Sequence, residues 1–326
     1  MFKKILLVFV VALSAVLFVA CDDEKDPVVE ERTYVADGEF TAFRWEIHSN
    51  NGPQVSSVTV TIEDDEVVGY YIDVIQNTKT VVPATETEAE KVTYAFNDKT
   101  KKELGYGYRM HGQRDKSEAD YKAYLKEEGL LEWFEQAKLI EDFFLAEGPD
   151  KLTVDEGNYI TNVEGGVTIK DGGYSTLAKE ALELAKEGTA KAWIPSGNSV
   201  VFATAKVDKD GKFTELELDT IQGSVKDGKY VWNEKTKQEL GYDYRMHNGA
   251  KDLSEADYKK KLEDEGLLEW FEQAKIITDG VLANGVSSLE LTDGKLDSAE
   301  GKTYAGVTIT VSAYKDVLTK LYDKFK

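Results

Sequence analysis

Apolar and polar positions alternate in short runs along the first half of the chain, and the runs have the period of half-buried strands. Asp37-Gly38 opens a strand-like segment, EFTAFRWEI. Val58, Val60 and Ile62 then alternate with Thr59 and Thr61, which places one face inward and one outward. Glu63 to Glu66 is a polar turn, and Val67, Val68, Tyr70, Tyr71, Ile72 and Val74 supply a return strand, so the pattern predicts a β-hairpin. Thr78 to Glu90 reads as a polar connection before Val92, Tyr94 and Phe96 alternate again. The period then changes. Ser117-Glu-Ala-Asp120 has the hydroxyl and acidic residue of a helix start. Tyr121, Tyr124 and Leu125 follow at helical spacing, Gly129 interrupts, and Leu130, Leu131, Phe134, Ala137, Ile140 and Phe144 continue an apolar face. Leu177, Ala178, Ala181, Leu182 and Ala185 predict a last helix.

The second half repeats this order. Ala192 to Asp219 rebuilds the hairpin around a turn at Asp208-Lys-Asp-Gly211, and Tyr230 and Trp232 take the places of Tyr94 and Phe96. KTKKELGYGYRMH at 99–111 returns as KTKQELGYDYRMH at 235–247, with eleven of thirteen positions the same. SEADYKAYLKEEGLLEWFEQAK at 117–138 returns at 254–275 with eighteen of twenty-two the same. Val317, Leu318, Leu321 and Phe325 mark the closing helix. A repeat distance of 136 to 137 residues is too long for a solenoid and fits two copies of one domain. Strands and helices are segregated in each copy, so the predicted class is α+β, an antiparallel sheet with packed helices, in tandem. The expected copies are residues 33–190 and 191–326, with the boundary at Gly188 to Ala192, where a glycine follows a helix.

The N-terminus changes the picture. Lys3 and Lys4 precede an apolar run from Ile5 to Ala20, and Cys21 follows. That is the layout of a secretory signal, and it resembles the lipobox of bacterial lipoproteins, with Phe18 and Leu17 where the family usually has its leucine. The resemblance implies a signal over residues 1–20 and a lipidated Cys21 that anchors the chain on the outer side of a membrane. Residues 21–32 then form an acidic, proline-containing tether. The net charge of −21 argues against nucleic acid as a partner, since such binding neutralises phosphates. The single cysteine excludes an intrachain disulfide and any thiolate metal cluster.

The duplication kept rare residue types. Of three methionines and three histidines, Met110, Met246, His111 and His247 lie in the two Tyr-Arg-Met-His blocks, together with Arg109 and Arg245. Arg and His suit an anion, and Tyr and Met suit a flat ring. The competing reading is structural: Met fills a core gap and Arg fastens a helix or a carboxylate. Trp133-Phe134 and Trp270-Phe271 read as helix packing.

The opening Asp37-Gly38 hairpin, the Glu-Leu-Gly-Tyr-x-Tyr-x-Met block, the Glu-Trp-Phe-Glu-Gln-Ala helix and the Gly-Val-Thr-Ile segment before a terminal helix resemble the FMN-binding domain family. The layout is similar to the tandem-domain flavin lipoproteins of Gram-positive surfaces. The resemblance implies an FMN cofactor, attached in some members through its phosphate to a threonine by a flavin transferase, and a membrane redox partner. It implies Thr168 and Thr308 as acceptors, preceded by Gly166 and Gly306. The leading Asp, the Ser or Thr and the Ala of the family's attachment motif are replaced in both copies, by Asn162, Gly165 and Val167 and by Lys302, Ala305 and Val307. Arg109, His111, Arg245 and His247 would face the phosphate or the ring edge. A helix starting after Gly172-Gly173 would offer N–H groups to a phosphate. A plain β-strand explains Val-Thr-Ile equally well. No catalytic constellation, metal set or phosphate loop stands out. The resulting expectation is an electron carrier rather than an enzyme, with a flavin-free binding or spacer module as the alternative.

Overall fold

The structure is a computed structural model and describes residues 32–326. The expected signal, Cys21 and all but the last residue of the tether lie outside the described residues. Among the described residues no helix is long and apolar enough to cross a membrane.

Residues 33–326 form one compact α+β unit. Strands β1 (Gly38–Ile47), β2 (Pro53–Glu63) and β3 (Glu66–Ile75) make an antiparallel meander, and β4 (Asn77–Val82) pairs with β5 (Lys91–Phe96). The stretch expected to be a polar connection therefore begins with a strand. Asn77 explains it, because its buried side chain reaches the Pro53 carbonyl and holds the chain extended beside β2. Next come α1 (Lys101–Leu104), α2 (Glu118–Glu128), α3 (Trp133–Glu147) and α4 (Tyr174–Lys186). The second half follows with β6 (Thr189–Ser196), β7 (Ser199–Val207), β8 (Phe213–Lys226) and β9 (Lys229–Trp232) in one four-stranded sheet. It ends with α5 (Lys237–Leu240), α6 (Glu255–Glu265), α7 (Trp270–Asn284) and α8 (Ser312–Asp323). The long β8 does the work of β3 and β4 together. The register repeats as well: a bulge falls after the Thr61–Gly69 pair in one half and after the Lys206–Glu215 pair in the other.

Local signals place the helices. Thr100 and Thr236 cap α1 and α5 with reciprocal bonds to Glu103 and Glu239. Ser117 and Ser254 cap α2 and α6, and Gly129 and Gly266 end them in the left-handed conformation that suits glycine. The inward faces of the sheets carry the apolar alternation. Phe40, Ala42, Val58, Val60, Ile72 and Val74 pack under α3 and α4, and Ala190, Ala192, Val201, Ala203 and Leu218 pack under α7 and α8. A separate cluster joins the halves. Val55 and Ile75 meet Trp193, Val200 and Ile221, and around them Trp45 stacks on Phe202 at 5.8 Å and Phe43 lies 6.1 Å from Trp193.

Candidate functional site

Each half presents its Val-Thr-Ile segment in the same way. The segment is not a strand. Residues 164–169 and 304–309 are turns followed by extended loop, and they lie over the first turn of α3 or α7. Gln136 on α3 reaches them. Its Oε1 accepts the N–H of Thr168 at 2.7 Å and of Ile169 at 3.2 Å, and the Thr168 hydroxyl at 3.3 Å. Its Nε2 donates to the Leu131 carbonyl at 2.9 Å. Gln273 does the same for Thr308 at 2.7 Å, Ile309 at 3.1 Å, the Thr308 hydroxyl at 3.4 Å and the Leu268 carbonyl at 2.9 Å. Both glutamines are buried, while Thr168 and Thr308 are exposed. The backbone is pinned and the hydroxyl is left facing water with one long bond.

Gly166 and Gly306 have φ of +95° and +82°, which a side chain resists. A Cβ at Gly306 would come within 2.9 Å of Leu268, so glycine lets that loop lie against the start of α7. Helix α4 does begin at Tyr174 after Gly173. Its approach is taken by Arg44, whose guanidinium donates to the Gly172 carbonyl at 2.5 Å and pairs with Glu46 at 3.1 Å.

The Arg-Met-His blocks fasten the adjoining loop. Arg109 and Arg245 adopt φ of +58° and +53°. Their guanidinium carbons lie 4.3 Å and 4.7 Å over the rings of Tyr121 and Tyr258. Arg109 donates to the Lys116 carbonyl, and Arg245 to those of Ala250 and Leu253. His111 Nε2 and His247 Nε2 lie 2.9 Å from the Leu131 and Leu268 carbonyls, the same oxygens that Gln136 and Gln273 hold. The histidines therefore converge on the threonine segment through one shared carbonyl, and the arginines are turned toward the tyrosines of α2 and α6.

Besides Gln136 and Gln273, two further residue pairs escape the sequence reading. Glu132 and Glu269, both fully buried, begin α3 and α7. Each carboxylate accepts the N–H of its methionine at 3.3 Å, that of the following tryptophan at 2.8 Å, and the tyrosine hydroxyl of Tyr121 or Tyr258. Burial first, then the bond to glutamate, pushes both tyrosines well above their ordinary range. Lys101 and Lys237 are the second pair. The Lys101 ammonium lies 4.8 Å over Tyr108 and 5.0 Å over Trp133, and Lys237 lies 4.8 Å over Tyr244 and 5.1 Å over Trp270. Burial pulls both amines down to about 8. The available signal was their position inside the repeated block, but lysine and glutamate are too common in this chain to draw notice there.

Among the clefts of the fold, those of about 520, 490, 470 and 440 Å³ are not lined by either threonine. The 520 Å³ cleft lies between Tyr71, Lys102 and Phe134, and the 440 Å³ cleft is its counterpart at Glu217, Gln238 and Phe271. The described residues contain no group of acidic, histidine or cysteine side chains arranged to hold a metal ion.

Comparison with known proteins adds little. No family model matches the chain, and no curated protein matches it. Among solved structures, it is similar to a Clostridium thermocellum protein determined by solution NMR in a structural-genomics programme, at 18% identity, over 45% of this chain and 89% of that one, with a TM-score of 0.26.

Proposed function

We propose that the protein is a membrane-anchored extracytoplasmic lipoprotein with two FMN-binding-like domains that carries flavin for electron transfer. The observation that carries this reading is the twice-built presentation of Thr168 and Thr308: an exposed hydroxyl on a glycine-bearing loop whose backbone a buried glutamine holds still. A phosphoester needs an accessible hydroxyl and a close-approaching backbone, and both are present. When bound, FMN would supply the redox chemistry. The chain's part is to hold the acceptor hydroxyl in place, through Gln136 or Gln273, and to keep the loop from the Arg-Met-His block braced against the same carbonyl. Cys21 would be the lipid-bearing residue.

The test is colour and mass. Co-expressed with a flavin transferase, the protein should absorb near ~450 nm and gain roughly 440 Da per loaded site, as cofactor-borne chemistry requires. The double variant Thr168→Ala, Thr308→Ala should lose that load. A colourless protein of unmodified mass from such cells would remove the flavin reading and leave a tethered binding or spacer module that has kept the fold.

A further inference from the structure

The two halves differ sharply on one face. In the first half, the side of the sheet turned away from α3 and α4 carries Thr41, Ser57, Thr59 and Asp73, all buried although polar. Counting from the shared bulge matches Thr41 with Lys191, Thr61 with Lys206, Gly69 with Glu215 and Tyr71 with Glu217. The second half thus fills this face with long charged side chains. There Lys191 pairs with Glu180 of α4 at 3.6 Å. In the first half the corresponding helix position, on α8, is Lys320, and it meets a short threonine instead. The result is a cleft of about 470 Å³ over β1, β2 and β3, closed on its far side by Trp193, Lys320 and Lys324.

The chemistry of the cleft is specific. Its floor is a row of hydroxyls, with Thr41 and Thr59 bonded to each other at 2.7 Å, and the lining also holds two carboxylates, Glu39 and Asp73, the second of which accepts the Val74 and Lys102 N–H groups on one oxygen. Gly69 leaves its upper end open, since a Cβ there would meet nothing within 4 Å. Lys324 pairs with Glu39 at 3.0 Å. The Lys320 ammonium has no carboxylate partner among the described residues; it donates to the Trp193 carbonyl at 3.1 Å and keeps two N–H bonds to give. Thr41 and Thr59 satisfy only part of each other's hydrogen-bonding capacity and Ser57 has one long bond to the Asp73 carbonyl, so an apolar guest would bury the remaining lone pairs unused, which is costly. With Glu39 taken by Lys324 and Asp73 held by two backbone N–H groups, Lys320 is the lining charge that lacks a bonded counter-charge, and a cation would oppose it. From this we infer that the cleft is a binding site for a small polyhydroxylated anion, a sugar-sized carboxylate or phosphate. Its hydroxyls would exchange hydrogen bonds with Thr41, Ser57 and Thr59, and its charge would meet Lys320. The volume is within the range usual for small-molecule sites.

The experiment titrates gluconate, glycerol 3-phosphate and sorbitol into the full-length protein by calorimetry. At least one of the two anions should bind saturably with a Kd of about 1 mM or tighter, and which one does so identifies the charged group. Sorbitol should bind at least tenfold more weakly. The double variant Thr41→Lys, Lys320→Glu rebuilds the ion pair of the second half inside the cleft. It should keep cooperative unfolding and lose at least tenfold in affinity. Gly69→Gln adds a side chain into open space on a strand and should do the same if the double variant fails to fold. Absence of saturation by both anions, equal binding of sorbitol, or unchanged affinity in a folded blocking variant would each overturn the assignment.

Discussion

Gln136 and Gln273 each serve a whole segment with one amide. A single oxygen takes two backbone N–H groups and a hydroxyl, while the nitrogen holds a carbonyl that a histidine also reaches. Replacement by leucine, which is similar in size, would leave two N–H donors short of a partner, while His111 still reaches the carbonyl. At ~1–3 kcal/mol for each buried group left unsatisfied, Gln136→Leu should cost about 2–6 kcal/mol in urea denaturation, and amide exchange should speed up at Thr168 and Ile169. Gln136→Glu retains the acceptor and should cost less. Such roles were hard to read in advance. Rarity drew the eye to Arg109, Met110 and His111, and those residues do belong to the neighbourhood. The buried fasteners, Glu132 and Gln136, are of ordinary types, and only the depth to which the fold buries them sets them apart.

At the scale of elements, the short helices α1 and α5 bury a lysine against two aromatic rings each. Cation–π contact offsets part of the desolvation cost, yet both amines remain at about 8, below the usual value of 10.5. A folded-state value below the unfolded one means the unfolded chain binds more protons between the two, so stability rises with pH across that window. Burial also raises several tyrosines, including Tyr108 and Tyr244. That works in the opposite sense above their ordinary value of 10, where the unfolded chain loses its protons first. The protein should therefore gain a few kcal/mol between about pH 8 and pH 10 and then weaken. Lys101→Met with Lys237→Met should flatten the rise and stabilise the protein at pH 7, as read from denaturant midpoints at each pH. Elements themselves were largely legible, because alternation and capping residues are local. The hairpins, the serine caps and the glycine stops lie where those signals put them. The strand at Asn77 was not legible, since it depends on a side-chain bond to a residue far back in the chain. At Val-Thr-Ile, where composition leaves a strand and an exposed segment equally open, the loop holds because glutamine keeps β-favouring residues out of a sheet.

At the scale of the whole molecule, the halves share one compact unit, and the seam is aromatic. Trp193 fills it, with Phe43 on one side and the Lys320 ammonium 5.0 Å over its ring. Trp193→Ala should cost about 3–5 kcal/mol by opening a cavity. Unfolding of the parent should be a single transition by fluorescence and far-UV dichroism alike. A resolved second transition would show the halves to be independent. Repetition was visible in the residues, but nothing in either half alone announces the seam, since the aromatic positions that form it alternate like any others on a strand.

The tryptophans divide into two sets with different reporting value. Trp133 and Trp270 each lie beneath an ammonium inside a half, Trp193 lies beneath Lys320 at the seam, and Trp45 and Trp232 border the seam. Discharging Lys101 and Lys237 near pH 8 removes a positive field from two indoles, and burial lowers Lys320 over the third as well. The emission spectrum should then contain a component that titrates, and the part of it that disappears in Lys320→Met reports on the seam, so that light separates events inside each half from events between them.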